Sequence, residues 1–186
     1  MPKNSYMVIP EVSSERRRYV PIGYESPETL ASNKLRLLPN ATLYQFGVVT
    51  SEMHMAWMRY VGGRLKSDYS YSVNIVYNNF PWPTSPTEKQ VKDVEVAAQK
   101  VLDVRATFVG SSLADLYDPL TMPPALVKAH QDLDRAVDQC YRKQPFANET
   151  RRIEYLFELY DQYTAPLVAA AGIKPKRRSA ENKATM

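Results

Sequence analysis

Short apolar runs, broken by proline and glycine, fill the first part of the chain. SYMVIPEV and RYVPIGY have the apolar and aromatic content of strands, and turn-forming residues interrupt them. KLRLL alternates between polar and apolar positions, and Pro39-Asn40 after it predicts a turn. The apolar run ATLYQFGVV then predicts one more strand.

A helical period replaces these runs at Ser51. In EMHMAWMRYV, Met53, Trp57 and Val61 recur at i, i+4 and i+8, so we expect a helix with one buried face. Ser51 is a suitable N-cap, because a serine hydroxyl can accept a hydrogen bond from a free amide of the first turn. A glycine pair after this segment predicts its end, and RLKSDYSYSVNIVY predicts a return to strand.

The segment PWPTSP, Pro81 to Pro86, divides the chain into two parts. Three prolines in six residues can continue neither a central strand nor a helix. Beyond them, apolar residues recur at helical spacing in three stretches that begin at Thr87, Pro123-Pro124 and Asn148. Their buried faces are predicted to carry Val91, Val94, Ala98, Val101 and Phe108; Leu126, His130, Leu133, Val137 and Tyr141; and Ile153, Leu156, Phe157 and Tyr160.

The predicted fold class is α+β. Residues 1–83 form a small mixed α/β unit, and residues 84–170 form an all-α helical domain. Residues 171–186 hold five Lys/Arg against one Asp/Glu, so we expect a basic, disordered tail there.

Composition limits the classes of protein that fit this pattern. The chain has 186 residues, and none of its apolar runs nears the ~18 residues of a membrane span, so we expect no membrane partner. A single cysteine, Cys140, excludes an internal disulfide, fits a reducing cytoplasm and, with only two histidines, argues against a zinc site. Nine Lys/Arg face six Asp/Glu in residues 1–83, against ten and thirteen in residues 84–170. A polyanionic partner is therefore expected to meet the first part.

The sequence carries no enzyme signature. It has no GxGxxG, P-loop, HExxH or GxSxG motif, and His54 lacks the nucleophile or carboxylate set of a catalytic base. His130 with Asp134 at i+4 predicts a hydrogen bond along one helix face. We interpret NNFPWP as structural, with Phe80 and Trp82 closing the seam between the two parts.

Side chains suited to contacting nucleic acid are concentrated in the first part. SSERRRY, Ser13 to Tyr19, sets three arginines beside two serines, and both residue types are common donors to phosphates and base edges. The alternative is that these charges are solvated loop residues without a partner. We expect backbone contacts from Ser13, Ser14, Arg16, Arg17, Arg18, Arg64, Tyr69 and Tyr71.

The stretch GRLKSDYSYS, Gly63 to Ser72, pairs a donor with an acceptor. Lys66 and Asp68 stand at i and i+2, which places both side chains on one side of a strand. One interpretation is a solvated edge strand that carries a charge pair. The other is a probe for one G·C base pair, in which Lys66 donates to O6/N7 of guanine while Asp68 accepts from N4–H of cytosine.

Several long segments in correct order resemble the C-terminal part of MmeI-like (type IIL) restriction–modification enzymes, across about residues 6–167. These segments are VSSERRRYVPIGY, LYQFGVVTSEMHMAWMRYVGGRLKSDYSYS, VYNNFPWP, LYDPLTMPPALVKAHQDLDRAVDQCY and RIEYLFELY. The resemblance implies that residues 1–83 belong to a DNA target recognition domain and residues 84–170 to a helical C-terminal domain behind it. It also implies a prokaryotic cytoplasmic protein.

The resemblance also implies which positions read bases in the major groove. Members of this family read each base with a pair of positions, and three such pairs fall here on Lys66/Asp68, Glu11/Asn33 and Lys34/Ser70. Glu11 is expected to accept from a cytosine N4 with support from Asn33, and Lys34 to donate to a guanine beside the small Ser70. The implied recognition site ends in 5′-C-G-A-G-3′, with adenine as the methylated base.

The function implied is sequence-specific recognition of double-stranded DNA for an adenine-N6 methyltransferase. Catalytic residues and S-adenosylmethionine are expected in a methyltransferase domain of the same or a parent polypeptide, so no cofactor or metal is expected in this chain. Two alternatives remain open. One is a specificity subunit that completes a methyltransferase supplied by a separate catalytic chain, and the other is a helical protein-interaction module that does not bind DNA.

Overall fold

The structure, a computed structural model, describes residues 2–170; the predicted tail, 171–186, lies outside the described residues. Two three-stranded antiparallel sheets occupy the first part, with strand orders β3-β1-β4 and β2-β6-β5. The strands are β1 Tyr6–Pro10, β2 Val12–Ser13, β3 Gly23–Glu25, β4 Leu35–Pro39, β5 Gly63–Leu65 and β6 Asp68–Ser70. The helices are α1 Leu43–Val49, α2 Glu52–Val61, α3 Glu88–Ala106, α4 Leu113–Leu116, α5 Pro124–Tyr141 and α6 Glu149–Ala170. Small sheets followed by helices confirm the α+β prediction.

The predicted strand ATLYQFGVV is wrong, because most of this segment forms helix α1. Thr42 and Gln45 build a capping box: the Gln45 amide donates to Thr42 Oγ1 (3.1 Å), and the Thr42 amide donates to Gln45 Oε1 (2.9 Å). Phe46, Val48 and Val49 are all buried, so the helix has no polar face that would reveal its period in the sequence.

The predicted strand RLKSDYSYSVNIVY is a hairpin of two short strands, β5 and β6, and strand structure ends at Ser70. Val73–Tyr77 forms a single π-helical turn, begun by Ser72, whose hydroxyl accepts from the Ile75 amide (3.4 Å). The indole of Trp57 donates to the carbonyl of Val76 (3.1 Å). A tertiary hydrogen bond thus occupies a carbonyl that a strand would present to a neighbouring strand.

The three predicted long helices are present as α3, α5 and α6. Thr87 caps α3 through a box with Gln90, and Asn148 Oδ1 accepts from the Arg151 amide at the start of α6 (3.0 Å). Phe108 lies just beyond α3, and the short helix α4 was not predicted. None of the helices within residues 2–170 has the length and apolar character needed to cross a bilayer.

One hydrophobic core runs through both parts of the chain. Helix α1 lies against α3 and α5, and a side chain at Gly47 would bring its Cβ within 2.7 Å of Val94 Cγ1. Helix α2 packs on α6, where Trp57 lies with its ring centroid 5.4 Å from Phe157 and 5.7 Å from Tyr160. The helical part therefore packs against the first part through helices α1 and α2.

The segment NNFPWP lies in the seam, as predicted. The buried ring of Phe80 packs edge-on against His54 in the first part. The carbonyls of Pro81 and Trp82 accept hydrogen bonds from Tyr141 (3.0 Å) and Tyr163 (2.6 Å) in the second part.

A buried carboxylate joins the two parts at the start of α2. Asp134 Oδ2 accepts from the Tyr19 hydroxyl, and Oδ1 accepts from the Glu52 amide, both at 2.7 Å. Ser51 holds the N-cap position that was predicted, but its hydroxyl donates to the Val48 carbonyl instead. Asp134 therefore caps α2 from another helix, where its charge also faces the positive end of the helix dipole.

The predicted hydrogen bond between His130 and Asp134 is wrong. His130 instead stacks on Tyr19 at a centroid distance of 4.1 Å, and its Nε2 shares a hydrogen bond with the Tyr117 hydroxyl (2.6 Å). Both side chains point into the core, so partners from other elements replace the neighbour on the same helix. Burial raises the pKa of Asp134 to about 6, while the hydrogen bonds from Tyr19 and the Glu52 amide oppose that rise.

We expect Asp134→Ala to lower the free energy of unfolding by about 3 kcal/mol, because it leaves two buried donors without a partner. Urea unfolding followed by circular dichroism measures this change. Asp132→Ala is the matched control, since Asp132 lies on the same helix in exposed ion pairs with Lys128 and Arg135, and a change within about 0.5 kcal/mol is expected. Equal losses in both variants would contradict the role assigned to Asp134.

Candidate functional site

The two sheets are joined through the main chain of Glu11, which lies between β1 and β2. Its amide donates to the Lys34 carbonyl (2.9 Å), and its carbonyl accepts from the Tyr71 amide (2.7 Å). Strand β2 then pairs with β6, with Val12 opposite Ser70. These bonds bring together Glu11, Lys34 and Ser70, which are far apart in sequence.

Strands β5 and β6 form a hairpin with two different faces. Asp68 and Ser70 lie on one face, opposite Leu65 and Gly63, and both are partly accessible to solvent. Gly63 has no side chain, so the space opposite Ser70 stays open. We call Glu11, Lys34, Asp68 and Ser70, together with Lys66 at the hairpin tip, the polar face.

Lys66 is not a strand residue, so its predicted position on a strand beside Asp68 is wrong. Leu65 pairs with Asp68, which leaves Lys66 and Ser67 as the two central residues of the turn. Lys66 has a φ of 57°, a left-handed backbone conformation that favours glycine. The amine therefore projects from the tip of an exposed hairpin rather than from a flat strand.

The other face of the hairpin is closed by packing. The Arg64 guanidinium lies 4.2 Å from the ring centroid of Tyr69, and its Nη1 donates to the Ser67 carbonyl (3.1 Å). Tyr69 is buried and donates to the Glu15 carbonyl (3.2 Å), while Ser13 opposite it is also buried. Arg64 thus stabilises the turn that carries Lys66.

Tyr71 is buried as well, with 2% of its surface exposed, and its hydroxyl shares a hydrogen bond with His54 Nε2 (2.9 Å). Ser13, Tyr69 and Tyr71 thus lack the exposure that their predicted backbone contacts require. The alternation of the strand places Tyr69 in the core, and the hydrogen bond to Glu11 turns Tyr71 inward. The sequence alone does not distinguish an exposed tyrosine from a buried one, which is why Tyr69 and Tyr71 were predicted to contact DNA.

The serine and arginine loop remains at the surface. The Ser14 hydroxyl accepts from the Arg16 amide (3.4 Å), and the Ser14 carbonyl accepts from the Arg17 amide (3.1 Å). Arg16 and Arg18 are exposed, although Arg18 lies 3.8 Å from Glu52 Oε2; Arg17 is half-buried.

Glu11 has a partner that the sequence did not reveal. Arg36 Nη2 lies 3.1 Å from Glu11 Oε1, and both residues line an open cleft of about 410 Å³ that also includes Ser70. The side chain of Asn33, the predicted partner, instead accepts from the Ser32 hydroxyl (3.5 Å). The alternation of KLRLL marked Arg36 as a polar position, but only the strand register brings it to Glu11.

His54 is a structural residue in this geometry. It is 1% exposed, and burial lowers its pKa to about 3, so the ring is neutral at physiological pH. Within residues 2–170, His, Cys, Asp and Glu side chains form no group of three or more that could hold a metal ion.

Comparisons with known proteins agree with this architecture. Residues 1–84 match the family model described as the MmeI target recognition domain, and residues 86–168 match the model of the MmeI C-terminal domain. A DNA methyltransferase A of Bacillus subtilis (strain 168) is 41% identical over 161 residues, which cover 87% of this chain and 18% of that protein.

A solved structure is similar along most of the chain. It is the type IIL restriction–modification enzyme MmeI in complex with DNA, which is 48% identical and superposes with a TM-score of 0.84. The match covers 88% of this chain and 22% of MmeI, so the chain spans about one fifth of the length of these relatives.

Lys66→Gly tests the backbone conformation of the hairpin tip. We expect the variant to be more stable by about 0.5–1 kcal/mol, because glycine adopts a positive φ without a steric penalty. Ser67→Gly is the matched control: Ser67 does not have a positive φ, so the added freedom of the unfolded chain should lower stability. Thermal unfolding measures both, and a loss of stability in Lys66→Gly would contradict the assigned turn.

His54 predicts a loss of stability in acid. Its pKa is about 3 when folded and about 6.5 when unfolded, so its contribution is complete above pH 6.5 and is lost as pH falls toward 3. Between pH 7 and pH 5 this amounts to about 2 kcal/mol, which His54→Gln should not lose. Asp134, whose pKa is raised, has the opposite dependence, but it is present in both proteins and cancels. Equal losses in the two urea titrations would show that His54 does not titrate as a buried group.

Proposed function

The chain belongs to the MmeI family, as a target recognition domain followed by a C-terminal domain, and from that premise we propose that it recognises a DNA sequence for an adenine-N6 methyltransferase. The observation that carries the proposal is the polar face itself. Main-chain bonds and strand pairing bring the backbone of Glu11 next to Lys34 and Ser70, and Asp68 shares a strand face with Ser70 beside the turn that carries Lys66. Two acceptors and two donors are thereby carried by neighbouring strands and one turn.

The shape of the hairpin suits the major groove of DNA. That groove is about 12 Å wide and admits a two-stranded β-ribbon, while each base pair presents a distinct set of donors and acceptors there. Strand β6 also pairs with β2 as far as Tyr69, so only the end of the β5–β6 hairpin is two-stranded, with Asp68 directly beside the turn and Lys66 at the tip. The relative with a solved structure was determined in complex with DNA.

The proposed base contacts follow from donor and acceptor chemistry. Lys66 donates to guanine and Asp68 accepts from its paired cytosine, Lys34 donates to a second guanine beside Ser70, and Glu11 accepts from a cytosine N4. With these contacts the recognised site ends in 5′-C-G-A-G-3′, and the adenine is the base that is methylated. Lys66 keeps its role from the turn, since its flexible amine needs only to reach the groove.

The proposed phosphate contacts are fewer than the sequence suggested. We retain four residues as phosphate contacts because they are accessible enough to meet a DNA backbone: Ser14, Arg16, Arg18 and Arg64. Ser13, Tyr69 and Tyr71 are removed because they are buried. Arg17 is half-buried, and its Nε makes no hydrogen bond within the described residues. We therefore neither retain Arg17 as a phosphate contact nor remove it.

Catalysis is proposed to reside outside this chain. The related methyltransferase and MmeI are about five times longer than the matched region, and no catalytic motif is present in this sequence. A methyltransferase domain, in the same polypeptide or in a separate chain, would bind S-adenosylmethionine and transfer the methyl group. The C-terminal domain would then hold the recognition strands in place from behind.

A second candidate function is protein binding by the helical part. A groove of about 480 Å³ runs along α6, with Tyr60 and Phe157 beside Glu154, Glu158 and Asp161, which suits a cationic protein segment. DNA would avoid this acidic surface. Under this candidate the chain binds neither matched nor random DNA, so the following experiment separates it from the first.

Fluorescence anisotropy with two duplexes, one with C-G-A-G and one with C-G-A-C in the same flanks, tests the preferred function. We expect about tenfold tighter binding to C-G-A-G, since a pair of good base contacts discriminates by about 1–3 kcal/mol. The exchange Lys66→Glu with Asp68→Arg should reverse the preference. Affinity should fall steeply with salt, because arginine–phosphate contacts release counterions.

The matched control exchanges an equivalent pair on α3, Lys89→Glu with Asp93→Arg. This exposed pair has the same charges, lies outside the polar face and should leave the preference unchanged. Equal salt-sensitive binding of the wild-type chain to both duplexes would show that it holds only phosphates, and that sequence is read elsewhere.

A further inference from the structure

Arg36 lies beside the polar face, in the same cleft as Glu11 and Ser70, and has no contact assigned to it in the proposed function. It lies opposite Ile9 in the β1–β4 ladder, and Glu11 follows Ile9 by two residues, so the two charged side chains are diagonal neighbours on one face. The distance from Arg36 Nη2 to Glu11 Oε1 is 3.1 Å. The strand register therefore fixes this pair, whereas Asn33 lies outside the ladder.

Stability alone does not account for the pair. The side chains of Arg36 and Glu11 are 39% and 27% exposed, and ion pairs at such accessible sites add at most about 1 kcal/mol. They border the same cleft as Ser70, a proposed base contact, rather than a separate part of the surface. The pair links β4 to the junction of β1 and β2, but it does so at the edge of this cleft, where both side chains are accessible to a ligand.

The pair keeps hydrogen-bonding capacity beside the cleft that it lines. The contact of Nη2 with Glu11 is an ion pair, the guanidinium carries further N–H donors on its two Nη atoms, and Glu11 retains a second carboxylate oxygen as an acceptor. Arg36 Nε is buried and has no partner within the described residues, so only the Nη groups are candidates for a contact with a base. A donor and an acceptor side by side match the major-groove edge of one C·G pair, where cytosine presents N4–H and guanine presents O6 and N7.

We propose that Arg36 reads the guanine of the same C·G pair whose cytosine is read by Glu11, in place of the contact first expected from Asn33. This inference rests on the proposed function and extends it by one residue. Arg36 also holds the Glu11 carboxylate in position and offsets its repulsion from DNA phosphates. Arg36 and Glu11 would then read a second base pair in the way proposed for Lys66 and Asp68, with one side chain as the donor to guanine and the other as the acceptor from cytosine.

Selection from a pool of duplexes with randomised bases, followed by sequencing of the bound fraction, tests the proposal with the full chain. We expect the wild-type chain to select C·G at one position that Glu11→Gln and Arg36→Gln both relax, each by about tenfold, with the other positions unchanged. Arg36→Lys keeps the charge but loses the planar fork, so it should also relax that position. The exchange Glu11→Arg with Arg36→Glu should select G·C there.

Arg151→Gln is the matched control, because it removes one positive charge from an exposed ion pair with Glu154 on α6. It should lower affinity slightly and change no base preference. If Arg36→Gln and Arg36→Lys keep the C·G preference while Glu11→Gln loses it, the inference about Arg36 is overturned and the proposed function stands. If the wild-type chain selects no sequence, the proposed function fails, and the inference falls with it.

Discussion

Two main-chain hydrogen bonds of Glu11 join the two sheets that carry the candidate reading groups. The chain leaves β1 and enters β2 at this residue, so its amide is bound to one sheet and its carbonyl to the other. Because both bonds involve the backbone, the side chains beside them are free to differ. A scaffold of this kind can keep its geometry while Glu11, Lys34 and Ser70 are replaced by other residues.

The helical part keeps this scaffold rigid. Asp134 caps α2 and binds Tyr19, Trp57 packs between α2 and α6, and Gly47 allows α1 to approach α3 closely. Holding a carboxylate in this position raises its pKa to about 6, which shows that burial costs free energy that its hydrogen bonds only partly offset. The two hydrogen bonds of Asp134 join α5 to Tyr19 and to the start of α2 in the first part.

Carboxylate and arginine side chains lie in pairs near the polar face and on the opposite face of the hairpin. Glu11 lies beside Arg36, and Arg64 is held by Tyr69 and lies 3.8 Å from Glu15. A carboxylate alone would be repelled by DNA phosphates, whereas a carboxylate next to an arginine approaches them at a smaller electrostatic cost. Under the proposed function, such a pair would offer one base pair both a donor and an acceptor, which a single side chain rarely provides.

The sequence by itself determined the elements with strong local signals. Residue spacing predicted the helical periods of α2, α3, α5 and α6, the proline-rich seam and the α+β class. Motif order gave the resemblance to the MmeI family. Neither signal needs a tertiary contact. Thr42 and Gln45 have the spacing of a capping box, but the strand prediction missed it, because the uniform apolar run after Thr42 hid the helical period of α1.

Only the tertiary structure decided how the candidate site is built. Strand register placed Arg36 rather than Asn33 beside Glu11, the two-residue turn moved Lys66 off the strand, and packing buried Ser13, Tyr69 and Tyr71. Asp134 likewise took partners from the first part instead of His130 on its own helix. Cross-strand pairing and burial join residues that are distant along the chain, and local sequence patterns carry no information about which distant residues will meet.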